Sequence, residues 1–229
     1  MRRKLILIIL PLCSGLALLS CGRIFERQDV PRVRENFIQA YYTIDSLSFH
    51  SFRSTERSIK LTASGKWLST EESEYYKSLY DDTHNHIPLA TGATAAYTNI
   101  FDRIEIVSDT DFNEIAAGTS LGEIVKFIAI SPYKWLLSGC GASYDWSVIP
   151  EDFEKCKFEI PAGSVKKGLY PVDKLVSELT PDDLVLLMRK PGGFFCFVFE
   201  QIPENKEHNM TITFFEGDKS YTVKRQLSF

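Results

Sequence analysis

Residues 210–229 read MTITFFEGDKSYTVKRQLSF and, with LVLLM at 184–188 and FFCFVF at 194–199, they decide the fold class. Leu184–Met188, Phe194–Phe199, Met210–Phe215 and Tyr221–Phe229 are β-branched and aromatic runs separated by turn residues, which is the pattern of four strands. The last two are joined by Glu216, Gly217, Asp218 and Lys219, a polar connection of hairpin type. Strands at such spacing indicate a sandwich or a barrel.

Upstream, strand signals continue. Ile59, Leu61 and Ala63 alternate with Lys60, Thr62 and Ser64, the period-two pattern of a half-buried strand. Ile44, Leu47 and Phe49 lie in a Thr/Ser/Tyr-rich run, Ile104 and Ile106 alternate within 102–108, and 157–160 is a further short candidate. Helix signals are fewer. Ser69 or Thr70 followed by Glu71, Glu72 and Glu74 places hydroxyl and acid groups against unsatisfied amides, so a helix runs to about Tyr80 with Tyr76, Leu79 and Tyr80 near one face. Short helices are also predicted from Thr119 or Ser120 and over Pro171–Leu179, where proline opens the first turn. Residues 84–99 read as a loop, and 132–146 fit no clean period. The expectation is a mainly β, sandwich-like domain with a few short helices over 35–229, with a subdivision point near 165–180.

The first twenty residues carry a different message. Arg2, Arg3 and Lys4 precede an apolar stretch from Leu5 to Leu19, the layout of a secretory signal. A bilayer core takes roughly twenty apolar residues in a helix, so this run is short for a permanent span. Leu18, Leu19 and Ser20 directly before Cys21 resemble the lipobox of bacterial type II signal peptides. That resemblance implies cleavage before Cys21 and acylation of its thiol and new amine. Each buried methylene contributes about 0.8 kcal/mol, and more than one chain is needed for stable anchoring. Residues 21–34 are polar and contain Pro31, so they read as a tether between lipid and domain.

Charge and cysteine content narrow the function classes. The chain has 26 basic and 30 acidic side chains; loss of Arg2, Arg3 and Lys4 with the leader leaves 23 against 30, a balance of −7. No basic stripe is visible, so nucleic acid is excluded as an expected partner. Aromatic residues make up 13 % of the chain and are spread along it, which favours a folded domain over a disordered stalk. An envelope compartment permits disulfides. Beyond Cys13 and Cys21 the chain has Cys140, Cys156 and Cys196, so at most one bridge closes within it. Cys140 with Cys156 is the pair nearest in sequence, and three buried thiols are the other reading.

The layout resembles a group of uncharacterised Bacteroidales lipoproteins. The likeness is carried by the lipobox, by Ile104-Glu105-Ile106-Val107-Ser108-Asp109-Thr110-Asp111-Phe112-Asn113 followed by Ala117-Gly118-Thr119-Ser120-Leu121, and by the closing strands around 184–191 and 210–229. It implies an envelope location and a β-rich domain. In that lineage a run of acids after the lipidated cysteine tends to mark export to the surface. Here Gly22, Arg23, Ile24, Phe25 and Glu26 follow, so an outer-membrane position facing the periplasm stays open beside a surface one.

Asp109, Asp111 and Asn113 have the alternate spacing of calcium ligands, but Glu114 stands where the loop needs glycine and Ser120 where it needs a bidentate acid. A self-capping polar turn is the expectation. His84 and His86, after Asp81 and Asp82, place two imidazoles near each other without naming a third metal ligand, so neither metal nor cofactor is expected. Cys140 between Gly139 and Gly141 lacks a histidine in any recognisable signature, no Gly-x-Ser-x-Gly elbow occurs, and Glu151, Asp152 and Glu154 read as a charged face. Tyr133, Trp135, Tyr144 and Trp146 cluster within fourteen residues and offer either core or a flat platform for a sugar. The functional expectation is a membrane-anchored, non-catalytic envelope module that binds a glycan or an envelope protein or serves a structural role. The alternative is an envelope hydrolase acting on polysaccharide or peptide.

Overall fold

The computed structural model describes residues 33–34, 36–80, 87–88, 95–140, 143–157, 168–189 and 194–229. The chain divides into two compact units, Met1–Arg32 and Val33–Phe229. The first lies outside the described residues, and with it the leader, Cys21 and the tether as far as Arg32. His84, His86, Asp81 and Asp82 also fall outside them.

The second unit is mainly β. Its strands are β1 (Val33–Arg34), β2 (Ala40–Arg53), β3 (Ser58–Trp67), β4 (Ile87–Pro88), β5 (Ala95–Tyr97), β6 (Arg103–Ser108), β7 (Val125–Ser131), β8 (Tyr170–Leu175), β9 (Phe194–Phe199), β10 (Glu207–Glu216) and β11 (Lys219–Ser228). Among the described residues the α-helices are α1 (Thr70–Tyr80), α2 (Tyr133–Leu137) and α3 (Glu151–Lys155). A six-stranded mixed sheet runs β5-β2-β3-β9-β7-β8, a three-stranded antiparallel sheet runs β11-β10-β6, and β1 pairs with β4. Only β5 against β2 is parallel within the large sheet.

The side-chain pattern of β9 explains the layering. Phe195, Phe197 and Phe199 enter one hydrophobic cluster, whereas Cys196 and Val198 enter another on the opposite face. Strand β7 divides in the same way, with Phe127 and Ala129 on one side and Ile128 and Ile130 on the other. A strand covered on both faces reads as a continuous apolar run, and FFCFVF is one. The first cluster lies between the two sheets, where Phe214 of β10 meets Phe195 at 5.1 Å and Phe197 at 6.0 Å. Strand β10 buries only alternate residues, His208, Met210, Ile212 and Phe214, which leaves its other face toward water. The second cluster is covered by α1, α2, α3 and their connections, through Tyr76, Trp135, Phe153 and Leu169.

Several local expectations meet their structure here. The helix at Thr70–Tyr80 forms, and Ser69 and Glu72 cap it reciprocally: Ser69 N–H donates to Glu72 Oε2 at 2.8 Å and Glu72 N–H to Ser69 Oγ at 3.2 Å. The closing hairpin pairs in register from Glu207↔Ser228 to Glu216↔Lys219. Leu184–Met188 is not a strand. Thr180 and Asp183 form a capping box that starts a short 3-10 turn at Pro181–Leu184, and Leu186 turns back at φ 51° so that the run feeds both clusters. Pro171–Leu179 is not a helix either. Residues 170–175 add an edge strand beside β7, where a proline lacking its N–H is tolerated, and only Val176–Glu178 is 3-10. Thr119–Gly122 forms turns tied to β6, with Leu121 N–H donating to Ile106 O, in place of a helix.

The disulfide joins Cys156 to Cys196, which corrects the pairing expected between Cys140 and Cys156. The two bonded residues are far apart in sequence, but α3 lies on the sheet where Cys196 points out of β9. Cys140 sits at φ 63° after α2 and takes no part in the bridge. Beside the bridge, Lys126 Nζ donates to Asp152 Oδ2 at 3.0 Å and Lys155 Nζ to Asp152 Oδ1 at 2.6 Å. Burial pushes the Asp152 carboxyl up, but these ammonium bonds outweigh it and hold the group below the usual carboxylate range. Asp173, 3.8 Å from Lys126, goes the other way because burial dominates.

Candidate functional site: a polar cleft at the seam of the two sheets

The site begins with a bulge. In β2 the register against β3 shifts between Ile44 and Ser46, so Asp45 is left without a partner residue and the strand bends. Gly65 faces Ile44 at this point, and a Cβ there would overlap the Thr43 carbonyl. Only glycine permits that approach of the two backbones. Gly65→Ala is expected to destabilise the protein by about 2 kcal/mol, as other insertions into close-packed sites do, read as a lower urea midpoint at unchanged slope.

The bulge lies where β5 has ended. Beyond Tyr97 the open edge of β2 is satisfied by side chains: Ile44 N–H donates to Asn99 Oδ1 at 2.7 Å, and Thr43 Oγ1 lies 2.7 Å from Thr98 Oγ1. Asn99, 3 % exposed, thus continues with its amide the ladder that the backbone of β5 abandons. Its Nδ2 donates to Glu216 Oε2 at 3.0 Å and to Tyr221 Oη at 3.1 Å. The Tyr221 hydroxyl donates to Glu216 Oε2 at 2.8 Å, and Glu216 Oε1 accepts from Ile100 N–H at 3.0 Å. Asn99 therefore ties β2 to the β10–β11 hairpin. Burial, with the Glu216 carboxylate alongside, pushes the Tyr221 hydroxyl up to about 12, so it remains a proton donor at neutral pH.

Between these groups opens a cleft of about 560 Å³, lined also by Asp45, Tyr76, Lys219 and Ser220. Its walls combine hydroxyls, one amide, two carboxylates, an ammonium and two phenol rings. That is the donor and acceptor inventory a polyhydroxylated ligand requires.

The aromatic group read from the sequence is placed elsewhere and does another job. Trp135 and Trp146 are 5 % and 7 % exposed, so they form no exposed platform. Trp135 meets Phe37 at 4.8 Å, and Trp146 donates its Nε1–H to Leu169 O at 3.0 Å while Tyr144 packs edge-on against it at 4.9 Å. The face of the six-stranded sheet carrying Ile128 and Ile130 needs a cover, and these rings supply it. Tyr133 meets Tyr80 at 6.1 Å on the rim of an apolar depression with Leu79, Leu136 and Leu137.

The calcium-like spacing also resolves into loop ties. Asp111 Oδ1 accepts from Ala117 N–H at 2.8 Å, Asn113 Oδ1 from Glu204 N–H at 2.9 Å, and Asp109 Oδ1 from Asn209 N–H at 2.9 Å. No group of three metal-ligating side chains occurs among the described residues. One serine–imidazole pair was not foreseen from the sequence. His208 Nε2 lies 2.9 Å from Asn205 O, so it donates, and Nδ1 lies 2.8 Å from Ser108 Oγ and 2.9 Å from Thr110 Oγ1. Both Ser108 and His208 are buried, and the imidazole is flanked by Phe112 and Phe229, so the pair knits β6 to β10 out of reach of a substrate. No helix among the described residues is long and apolar enough to cross a membrane. Comparison with family profiles, with curated proteins and with solved structures returned no match.

Proposed function

We propose that the protein is a lipid-anchored, non-catalytic binding module of the bacterial cell envelope, held to the outer membrane by acyl chains on Cys21, and that its domain binds a glycan in the seam cleft. The leader pattern before Cys21 supports the address. The observation that carries the binding reading is the Asn99 hub. It fixes the Glu216 and Tyr221 side chains in one geometry before any ligand arrives, which lowers the ordering cost of binding. Asp45, Lys219 and Ser220 are exposed on the same cleft with donors and acceptors left for a ligand.

The experiment is a glycan-binding screen on the full chain in a non-glycosidic detergent, with mass spectrometry of the protein from native membranes run in parallel. The expected mass is that of a chain starting at an acylated Cys21. A bound glycan is expected to lose about tenfold in affinity on Asp45→Ala or Lys219→Ala, about one hydrogen bond's worth, at unchanged melting temperature. An unmodified thiol overturns the anchoring, and a screen with no bound glycan overturns the ligand class.

A further inference from the structure

A second recognition feature lies on strands β2, β3 and β5, next to the cleft in sequence. Trp67, at the end of β3, is 51 % exposed although its cross-strand partner Tyr42 is buried. The two rings meet edge to face at 5.1 Å and 83°. The Arg189 guanidinium sits in the corner between them, 4.6 Å from the Tyr42 centroid and 4.8 Å from that of Trp67. A guanidinium set against two aromatic rings is restrained in position yet keeps its in-plane N–H donors.

Those donors are underused. Arg189 Nε is buried without a hydrogen-bond partner, and so is the hydroxyl of Tyr97, which is 1 % exposed and neighbours Thr98 and Asn99 of the cleft. Burial pushes the Tyr97 hydroxyl well above the tyrosine range, with the Arg189 charge pulling it partly back, so it stays protonated. Two buried donors without acceptors are costly, and such groups in a folded protein call for an explanation. The Arg189 charge and its planar fork match a carboxylate. The half-exposed Trp67 ring beside it offers a flat apolar face for a sugar ring.

We infer that Arg189 and Trp67 form a subsite for the carboxylate of an acidic sugar, a uronate, with Arg189 binding the acid, Trp67 supporting the ring and Tyr97 closing the inner end. The inference rests on the glycan-binding reading and names the class of glycan. Access is from the Trp67 side, because Tyr42 and Tyr97 close the inner side.

The test is titration of the full chain with sodium glucuronate, glucose and sodium phosphate, read by tryptophan fluorescence. Trp67 is the half-exposed indole, whereas Trp135 and Trp146 are buried. Glucuronate is expected to give a saturable change with millimolar affinity, and glucose to give none. Arg189→Lys, which keeps the charge and loses the fork, is expected to weaken glucuronate at least tenfold. Trp67→Leu, tested by calorimetry, is expected to do the same with an unchanged far-ultraviolet spectrum. No saturation by glucuronate, an equal response to phosphate, or equal affinity in Arg189→Lys overturns the subsite. Loss of neutral-glycan binding on Asp45→Ala is measured separately, so the cleft and the acid subsite fail independently.

Discussion

Replacing Cys156 and Cys196 together by alanine is expected to lower the unfolding free energy by about 4 kcal/mol, the largest effect expected in this fold. The bridge closes a loop of 40 residues, and a cross-link of that span removes chain entropy from the unfolded ensemble in proportion to the logarithm of loop length. For a domain of this size the loss corresponds to a fall in melting temperature of roughly 10 °C. Both sulfurs are buried in the second cluster, so the alanine pair also leaves a small cavity, which acts in the same direction. The loop includes residues 158–167, which lie outside the described residues, and the bridge is the covalent link that returns the chain from α3 to β9. The measurement is calorimetry of the wild type, the double alanine variant and the wild type in reductant. The reduced wild type is expected to match the variant to within the cavity effect, and a variant melting with the wild type would show that the bridge contributes nothing.

Asp183→Ala is expected to cost about 3 kcal/mol, because it removes a buried carboxylate on which four donors converge. Lys174 Nζ reaches Oδ2 at 2.7 Å and Lys134 Nζ reaches Oδ1 at 3.0 Å, which joins β8 and α2 to the 3-10 turn. Thr180 adds its backbone N–H at 3.0 Å and its hydroxyl at 2.8 Å. The carboxylate is nearly inaccessible at 2 % while the lysines are 47 % and 36 % exposed, so the lysines recover water when the acid is removed, which keeps the cost below that of a wholly buried pair. Asp183→Asn keeps the shape and the Thr180 contacts and is expected to fall between wild type and alanine. The pH dependence follows from the same group. Burial raises its pKa, but the four donors outweigh burial and hold the carboxyl far below the ordinary aspartate value. A carboxyl depressed in the folded state contributes its full stability above the unfolded pKa of about 4 and loses it as pH falls further toward the folded value. Urea midpoints of the wild type are therefore expected to decline below about pH 4 more steeply than those of Asp183→Ala. Parallel declines would assign acid lability to other groups.

The comparison of sequence with structure separates along the distance over which each feature is decided. The β10–β11 hairpin, β9, β3, β6 and helix α1 were legible because the information is local: alternation, a polar turn and a serine–glutamate capping pair lie within a few residues of one another. The same local reading failed at Pro171 and at Leu184–Met188. There helix and strand propensity were overruled by position, an open sheet edge in one case and two clusters competing for one apolar run in the other.

The sequence by itself determined a mainly β domain and carries the leader-like pattern ahead of Cys21. Tertiary structure alone decided which cysteine meets Cys196, that Trp135 and Trp146 are covered while Trp67 is not, and that Asn99 meets residues 55, 117 and 122 positions away. The physical reason is common to all three. A side chain's partner across two packed sheets depends on register, bulge and layer order, which propensity and periodicity along one strand do not encode.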